Sequence, residues 1–170
     1  MNIRPATASD ALAIATAHIS SWQAAYLHIL PGEFLANLSI SDRATRWEKI
    51  IDAAESATDV AEDNNTVVAF SSYGRCRDAG AASTRAEIWA IYAAPAAWGK
   101  GIGHALLHHS LAALASQGYD ETSLWVLSEN ERGRGFYERN GFTVVAGTEK
   151  SFELGGVQVQ ELQYLRSNAA

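Results

Sequence analysis

The chain has 170 residues, a formal net charge of -6, 48% hydrophobic and 19% charged residues; that is enough for one domain burying roughly 70% of its unfolded surface, and too apolar for a disordered chain. Its 13 Lys and Arg are scattered through an acidic sequence, which excludes a nucleic-acid coat, and the single cysteine, Cys76, excludes an internal disulfide and leaves no thiolate metal cluster. Apolar runs fall short of a bilayer span and residues 1–10 lack the apolar core of a secretory signal, so a cytoplasmic protein without membrane contact is expected.

With three prolines and no linker or repeat, residues 1–170 are expected to form a single domain. Residues 2–6 predict a first strand. Thr7-Ala8-Ser9-Asp10 then matches a capping box ahead of a helix carrying Leu12, Ile14, Ile19, Trp22 and Tyr26, which ends before Pro31. Residues 33–38 and 41–54 predict two further helices, the second capped by Ser41 or Asp42 and burying Trp47, Ile50 and Ile51. Residues 59–62, 66–75 and 85–93 read as three neighbouring antiparallel strands. A helix over 101–117 closes at Gly118, a strand covers 121–127, a helix covers 130–139 and closes at Gly141, and two last strands cover 142–150 and 157–165. The order predicts an α/β chain with a mixed sheet.

The most informative stretch is 87–107, a strand, a turn, a glycine loop and a helix. Gly99, Gly101 and Gly103 clear side chains from a helix N-terminus, so that successive backbone N–H groups can converge on an anion such as a diphosphate. A dinucleotide fingerprint would need glycine where Leu106 stands, and a P-loop would need Ser or Thr after Lys100, where Gly101 stands. In the second stretch, 124–142, a strand delivers Asn130 to a helix start and Tyr137 follows two turns later on the same face. Taken singly, these read as an N-cap and a core aromatic.

Together the two stretches resemble the GNAT superfamily of acetyl-CoA-dependent N-acetyltransferases, strongly over residues 66–142 and loosely beyond. The resemblance implies an α/β GNAT fold, with a mixed, mostly antiparallel sheet of about seven strands splayed at its centre and about four flanking helices. It implies that Trp98-Gly99-Lys100-Gly101-Ile102-Gly103 hold the coenzyme A diphosphate with backbone amides, with His104 near the phosphates. It further implies that Ile91, Tyr92 and Ala93 offer backbone groups to the acetyl-pantetheine arm, that Asn130 contacts the cofactor and that Tyr137 lies near the departing sulfur. The family's loop carries Gln or Arg where Trp98 stands and its helix carries Ala where Gly133 stands. Gly133 and Gly135 each cost that helix about 1 kcal/mol against Ala, so it is expected to be mobile until cofactor binds.

The implied reaction moves acetyl from acetyl-CoA to a primary amine of a small molecule or peptide in a ternary complex. A lysine-like amine with a pKa of about 10.4 costs about 4.6 kcal/mol to deprotonate at pH 7, so a base is useful. Glu87, on the strand before the glycine loop, is a base, a substrate-positioning charge or an exposed strand carboxylate. Tyr137 is the candidate proton donor to the thiolate. Trp22, Tyr26, Trp47 and Trp89 either line an acceptor pocket or fill the core; Arg132 and Arg134 either meet the adenosine phosphate or are solvated. His104, His108 and His109 read as helix-surface residues rather than metal ligands, because Ala105 stands where a metalloprotease helix needs Glu. A homodimer is the family's common habit. A non-catalytic acyl-CoA sensor of the same fold is the alternative class.

Overall fold

The computed structural model describes residues 1–168. Strand β1 (Asn2–Pro5) leads through a one-turn helix at Ala8–Asp10 into α1 (Ala11–Ala25), α2 (Gly32–Ala36) and α3 (Ile40–Ala53). Then come β2 (Ala57–Asp63), β3 (Thr66–Arg75), β4 (Arg85–Ala93), α4 (Ile102–Ser116), β5 (Glu121–Leu127) and α5 (Glu131–Arg139). Three strands end the chain, β6 (Thr143–Val144), β7 (Lys150–Leu154) and β8 (Val157–Ser167). Among the described residues no helix is long and apolar enough to cross a membrane.

The sheet runs β1-β2-β3-β4-β5-β8-β6 with β7 also on β8, and every pairing is antiparallel except β4 with β5. The described residues thus form eight strands and five α-helices, in keeping with the mixed sheet of about seven strands and about four flanking helices that the resemblance implies. The extra strand comes from residues 142–150, where Gly147 at φ 77° turns the chain after only two β6 pairs and β7 starts afresh. The cap of α3 is Ser39, not Ser41 or Asp42: its Oγ accepts from the Asp42 amide at 3.1 Å. Leu12, expected on the buried stripe, is 62% exposed, while Ile14, Ala15 and Ile19 face inward.

Both sheet faces are covered. On one, Leu107, Leu111 and Leu114 of α4 pack on Ile88, Leu124, Val126 and Tyr164; on the other, Ile14, Ala15 and Trp47 pack on Val60 and Phe70. This explains why β3 is buried nearly continuously instead of alternating.

One buried polar group in this second layer is His18, ringed by Trp22, Trp47, Phe70 and Tyr92. Its Nδ1 accepts from Trp47 Nε1 at 3.2 Å. Burial, with the positive charge of Arg43 second, pushes the imidazole down to about 3. The unfolded chain binds below pH 6.5 a proton that the folded chain refuses, so this contribution is intact above 6.5 and is lost progressively between 6.5 and 3. Denaturant titrations should therefore show a loss of about 2 kcal/mol from pH 6.5 to 5 that is absent in His18→Phe. An identical slope in the variant would remove His18 as its source.

The feature that positions the site is the break between β4 and β5. The two strands pair only at Arg85↔Glu121, Ala86↔Thr122 and Glu87↔Ser123. Past Glu87, Ser72 faces Ala90 and Tyr73 faces Ile88, leaving Trp89 as an extra residue in β4. Such a bulge bends its strand and raises its twist. β4 then runs on to Ala93 and β5 to Leu127 without touching in the ladder, and a wedge opens between them.

Candidate active site

The wedge holds a cavity of about 620 Å³. Its walls are the ends of α1, β4 and β5, the loop at 98–104, α5 and the β7–β8 hairpin. At one end Gly99 and Gly101 take φ 75° and 77°, the left-handed region that only glycine enters without strain. A methyl group at either would meet nothing within 4 Å, so conformation rather than space requires glycine there. Such turns aim consecutive amides at one point beside the N-terminus of α4. Gly103, by contrast, is an ordinary helical residue with Phe136 3.8 Å from where its Cβ would lie.

Trp98 lines the cavity and ties this loop down: its indole N–H donates to the Ala93 carbonyl at 2.8 Å, and Arg132 of α5 stacks 4.1 Å from its ring. The Ala93 carbonyl is therefore occupied by the protein itself, whereas Ile91 and Tyr92 face the wedge from the strand. Lys100 is exposed and does not line the cavity. Ile102 is core, 4% exposed in a cluster with Ala61, Ala69, Ala97 and Leu106. His104 lines it, with Nδ1 2.7 Å from Asn140 Oδ1 and His108 Nε2 3.1 Å from the same oxygen. Among the described residues no group of three or more His, Cys, Asp or Glu could hold a metal ion.

The facing wall is α5. Asn130 caps it, its Oδ1 accepting from the Gly133 amide at 2.9 Å. A Cβ on residue 133 would fall 2.4 Å from Asn130 Nδ2, so glycine there accommodates the capping side chain. Arg134 is committed to Tyr164 Oη and the Ser128 carbonyl, leaving Arg132 as the one of this pair on the cavity. Tyr137 is half-buried, packed by Phe136 and Phe142, and its hydroxyl has no hydrogen-bond partner among the described residues. Burial, then the neighbouring Tyr92, hold that phenol well above its ordinary range, so it stays protonated at neutral pH. Burial, then the neighbouring Tyr92, also raises Tyr26.

At the other end the structure separates the expected acceptor residues. Trp22 and Tyr26 line the cavity; Trp47 lies in the core, and Trp89 stands outside, stacked under Arg77 and donating to the Arg75 carbonyl. Glu87 does not line the cavity either. It is 2% exposed at the vertex of the wedge and accepts from the Arg77 amide at 2.9 Å, from Arg77 Nε at 3.2 Å and from Arg77 Nη2. It is thus no exposed strand carboxylate. Sequence reasoning missed Trp125 and Glu161, which line this end. Glu161 pairs across the ladder with Leu127 and, on its other side, with Lys150.

A family model described as the acetyltransferase (GNAT) family matches residues 21–142. The chain is 28% identical over 163 residues to an uncharacterized N-acetyltransferase, YuaI, of Bacillus subtilis (strain 168), covering 95% of this chain and 90% of that protein. In fold it is similar to smu.2055 from Streptococcus mutans UA159, with a TM-score of 0.76 and 24% identity over 99% of this chain and 100% of that one. It is equally close to the PaiA N-acetyltransferase of Thermoplasma acidophilum, solved in complex with coenzyme A, with a TM-score of 0.75 and 19% identity over 98% of each chain.

Proposed function

The chain belongs to the GNAT acetyltransferase family and is an acyltransferase, and on that premise we propose that it moves acetyl from acetyl-CoA to a primary amine by direct attack within the β4–β5 wedge. The observation that carries this reading is the cavity itself, with an anion-holding loop at one end and a free, protonated phenol in its wall. The amides at residues 99–103 hold the diphosphate at the α4 N-terminus. The backbone groups of Ile91, which point away from β3 into the splay, hydrogen-bond the amide-bearing pantetheine arm as a neighbouring strand would, while those of Tyr92 are spent on Phe70 of β3. Asn130, its Oδ1 engaged with Gly133, presents its Nδ2 to the same ligand. Arg132, held over Trp98 at the rim, is a cation available to a phosphate.

A thioester is already activated, so attack by the amine needs no enzyme nucleophile, only alignment of the two reactants. Tyr137 gives its proton to the sulfur as the C–S bond breaks; burial raises the phenol, so the proton is still in place at neutral pH when negative charge develops on the sulfur. Calorimetric titration with acetyl-CoA followed by thiol release across an amine panel tests the reading. Micromolar binding with amine-dependent release is expected. Folded protein that fails to bind acetyl-CoA would overturn it.

A further inference from the structure

Residues that face each other across a ladder project to the same side of the sheet. Glu87 faces Ser123, Trp125 faces Gln163 and Leu127 faces Glu161, so all six lie on the side covered by α1 and α2. Asp78, from the loop after β3, joins this face by accepting from Trp125 Nε1 at 3.1 Å and from Gln163 Nε2 at 2.7 Å. Three carboxylates therefore share this side of the sheet, Glu161 alone of the three lining the cavity, and their partners differ. Glu87 is neutralised by Arg77; Asp78 is neutralised by Lys150 Nζ at 3.2 Å. Glu161, half-buried on the cavity wall, has neither a hydrogen bond nor an ion pair among the described residues.

Resting on the acetyl-transfer reading above, we propose that Glu161 is the residue that receives the acceptor amine, binding its ammonium and taking its proton, and that the acceptor is a monoamine on an apolar body. At this end of the cavity one unpaired carboxylate calls for one cation; Glu131, also on the lining, stands at the start of α5 beside Asn130. The surfaces around it are the rings of Trp22, Tyr26, Trp125 and Phe152 and the side chain of Leu154, which offer an aryl or alkyl group apolar contact and a second charge no partner.

Desolvation raises the Glu161 carboxyl, with Asp78 and Glu87 raising it and Lys150 and Arg77 lowering it; these are the charged groups that face it from β4, β7 and the β3–β4 loop. A raised carboxylate is a stronger base, which is what an ammonium about 3 units above neutral pH requires. The protons balance. Glu161 takes one from the ammonium and passes it to solvent; the freed nitrogen forms the N–C bond as the C–S bond breaks. The second proton leaving nitrogen replaces, through solvent, the one Tyr137 has given to sulfur, so the products are N-acetylamine, coenzyme A thiol and one released proton.

The test is thiol release by the full chain with acetyl-CoA and 2-phenylethylamine, hexylamine, spermidine or glycine, for wild type, Glu161→Gln and Glu161→Asp, alongside acetyl-CoA calorimetry and thermal melts. The two apolar monoamines should exceed spermidine and glycine at least tenfold in kcat/KM. Glu161→Gln should lose about 100-fold or more and flatten the acid limb of the pH profile, with acetyl-CoA affinity within about twofold and an unchanged melt; Glu161→Asp should restore that limb in part. Spermidine or glycine as the better substrate, kcat/KM within threefold in Glu161→Gln, or acetyl-CoA binding with no amine turned over would each overturn the inference. Absence of acetyl-CoA binding in the wild type would instead remove the reading beneath it.

Discussion

Tyr137→Phe is expected to lower kcat by about 100-fold or more while acetyl-CoA affinity stays within about twofold. The variant deletes one oxygen that no protein group uses, because the hydroxyl has no hydrogen-bond partner among the described residues, and it keeps the ring between Phe136 and Phe142. Stability and binding are thus left nearly untouched, and the loss should fall on the step in which sulfur leaves. Thiol release at saturating acetyl-CoA, read beside calorimetry and a melt, separates these quantities. An undiminished kcat would mean that the thiolate finds its proton from water or another donor.

Arg77→Ala should lower stability by about 2 kcal/mol, which for a chain of this length is a fall of about 4–8 °C in Tm. Glu87 has a side chain only 3% exposed and loses its two guanidinium donors, but Arg77 itself is 55% exposed, so water reaches the gap it leaves and the cost is that of hydrogen bonds to a charged group rather than of a fully buried pair. The backbone N–H of residue 77 would persist as a donor, which holds the cost at the lower end of the range. The double variant Arg77→Ala with Glu87→Gln should recover a large part of the loss, although not the stacking of Arg77 on Trp89. The single change Glu87→Gln should retain kcat within a few fold, since its carboxylate is already committed and stands outside the cavity. A collapse of kcat in Glu87→Gln with an unaltered melt would return the role of base to Glu87.

Local signals carried most of the architecture. The glycine loop, the Asn130 cap and the ring of Tyr137 announce themselves by spacing, and the structure places all three around one cavity. What spacing could not convey is which strands separate. The wedge depends on pairing that stops at Ser123 and on one extra residue, Trp89, whose mismatch exists only relative to β3. Glu87 and Glu161 illustrate the same limit. Glu87 sits beside a recognisable motif, yet Arg77, ten residues before it in the chain and directly against it in the fold, takes its charge out of play. Glu161 lies in an undistinguished alternation, Gln158-Val159-Gln160-Glu161, and gains its position only when β8 joins β5 across more than 30 residues of chain. The misplaced cap of α3 has a simpler origin: Ser39 and Ser41 are both competent, and the backbone at Ser39, φ -88° and ψ 117°, has the extended conformation of a cap.

Most sheets present their unpaired edges only at the outside, where a short strand, a lysine or a covering helix discourages a second molecule from adding itself. This one carries two more in its middle, the inner margins of β4 after Glu87 and of β5 after Ser123. A molecule seated between them would act as a removable strand, closing both margins at once. Because such a molecule would bind the folded chain and not the unfolded one, the temperature at which the chain melts should climb with the free concentration of acetyl-CoA.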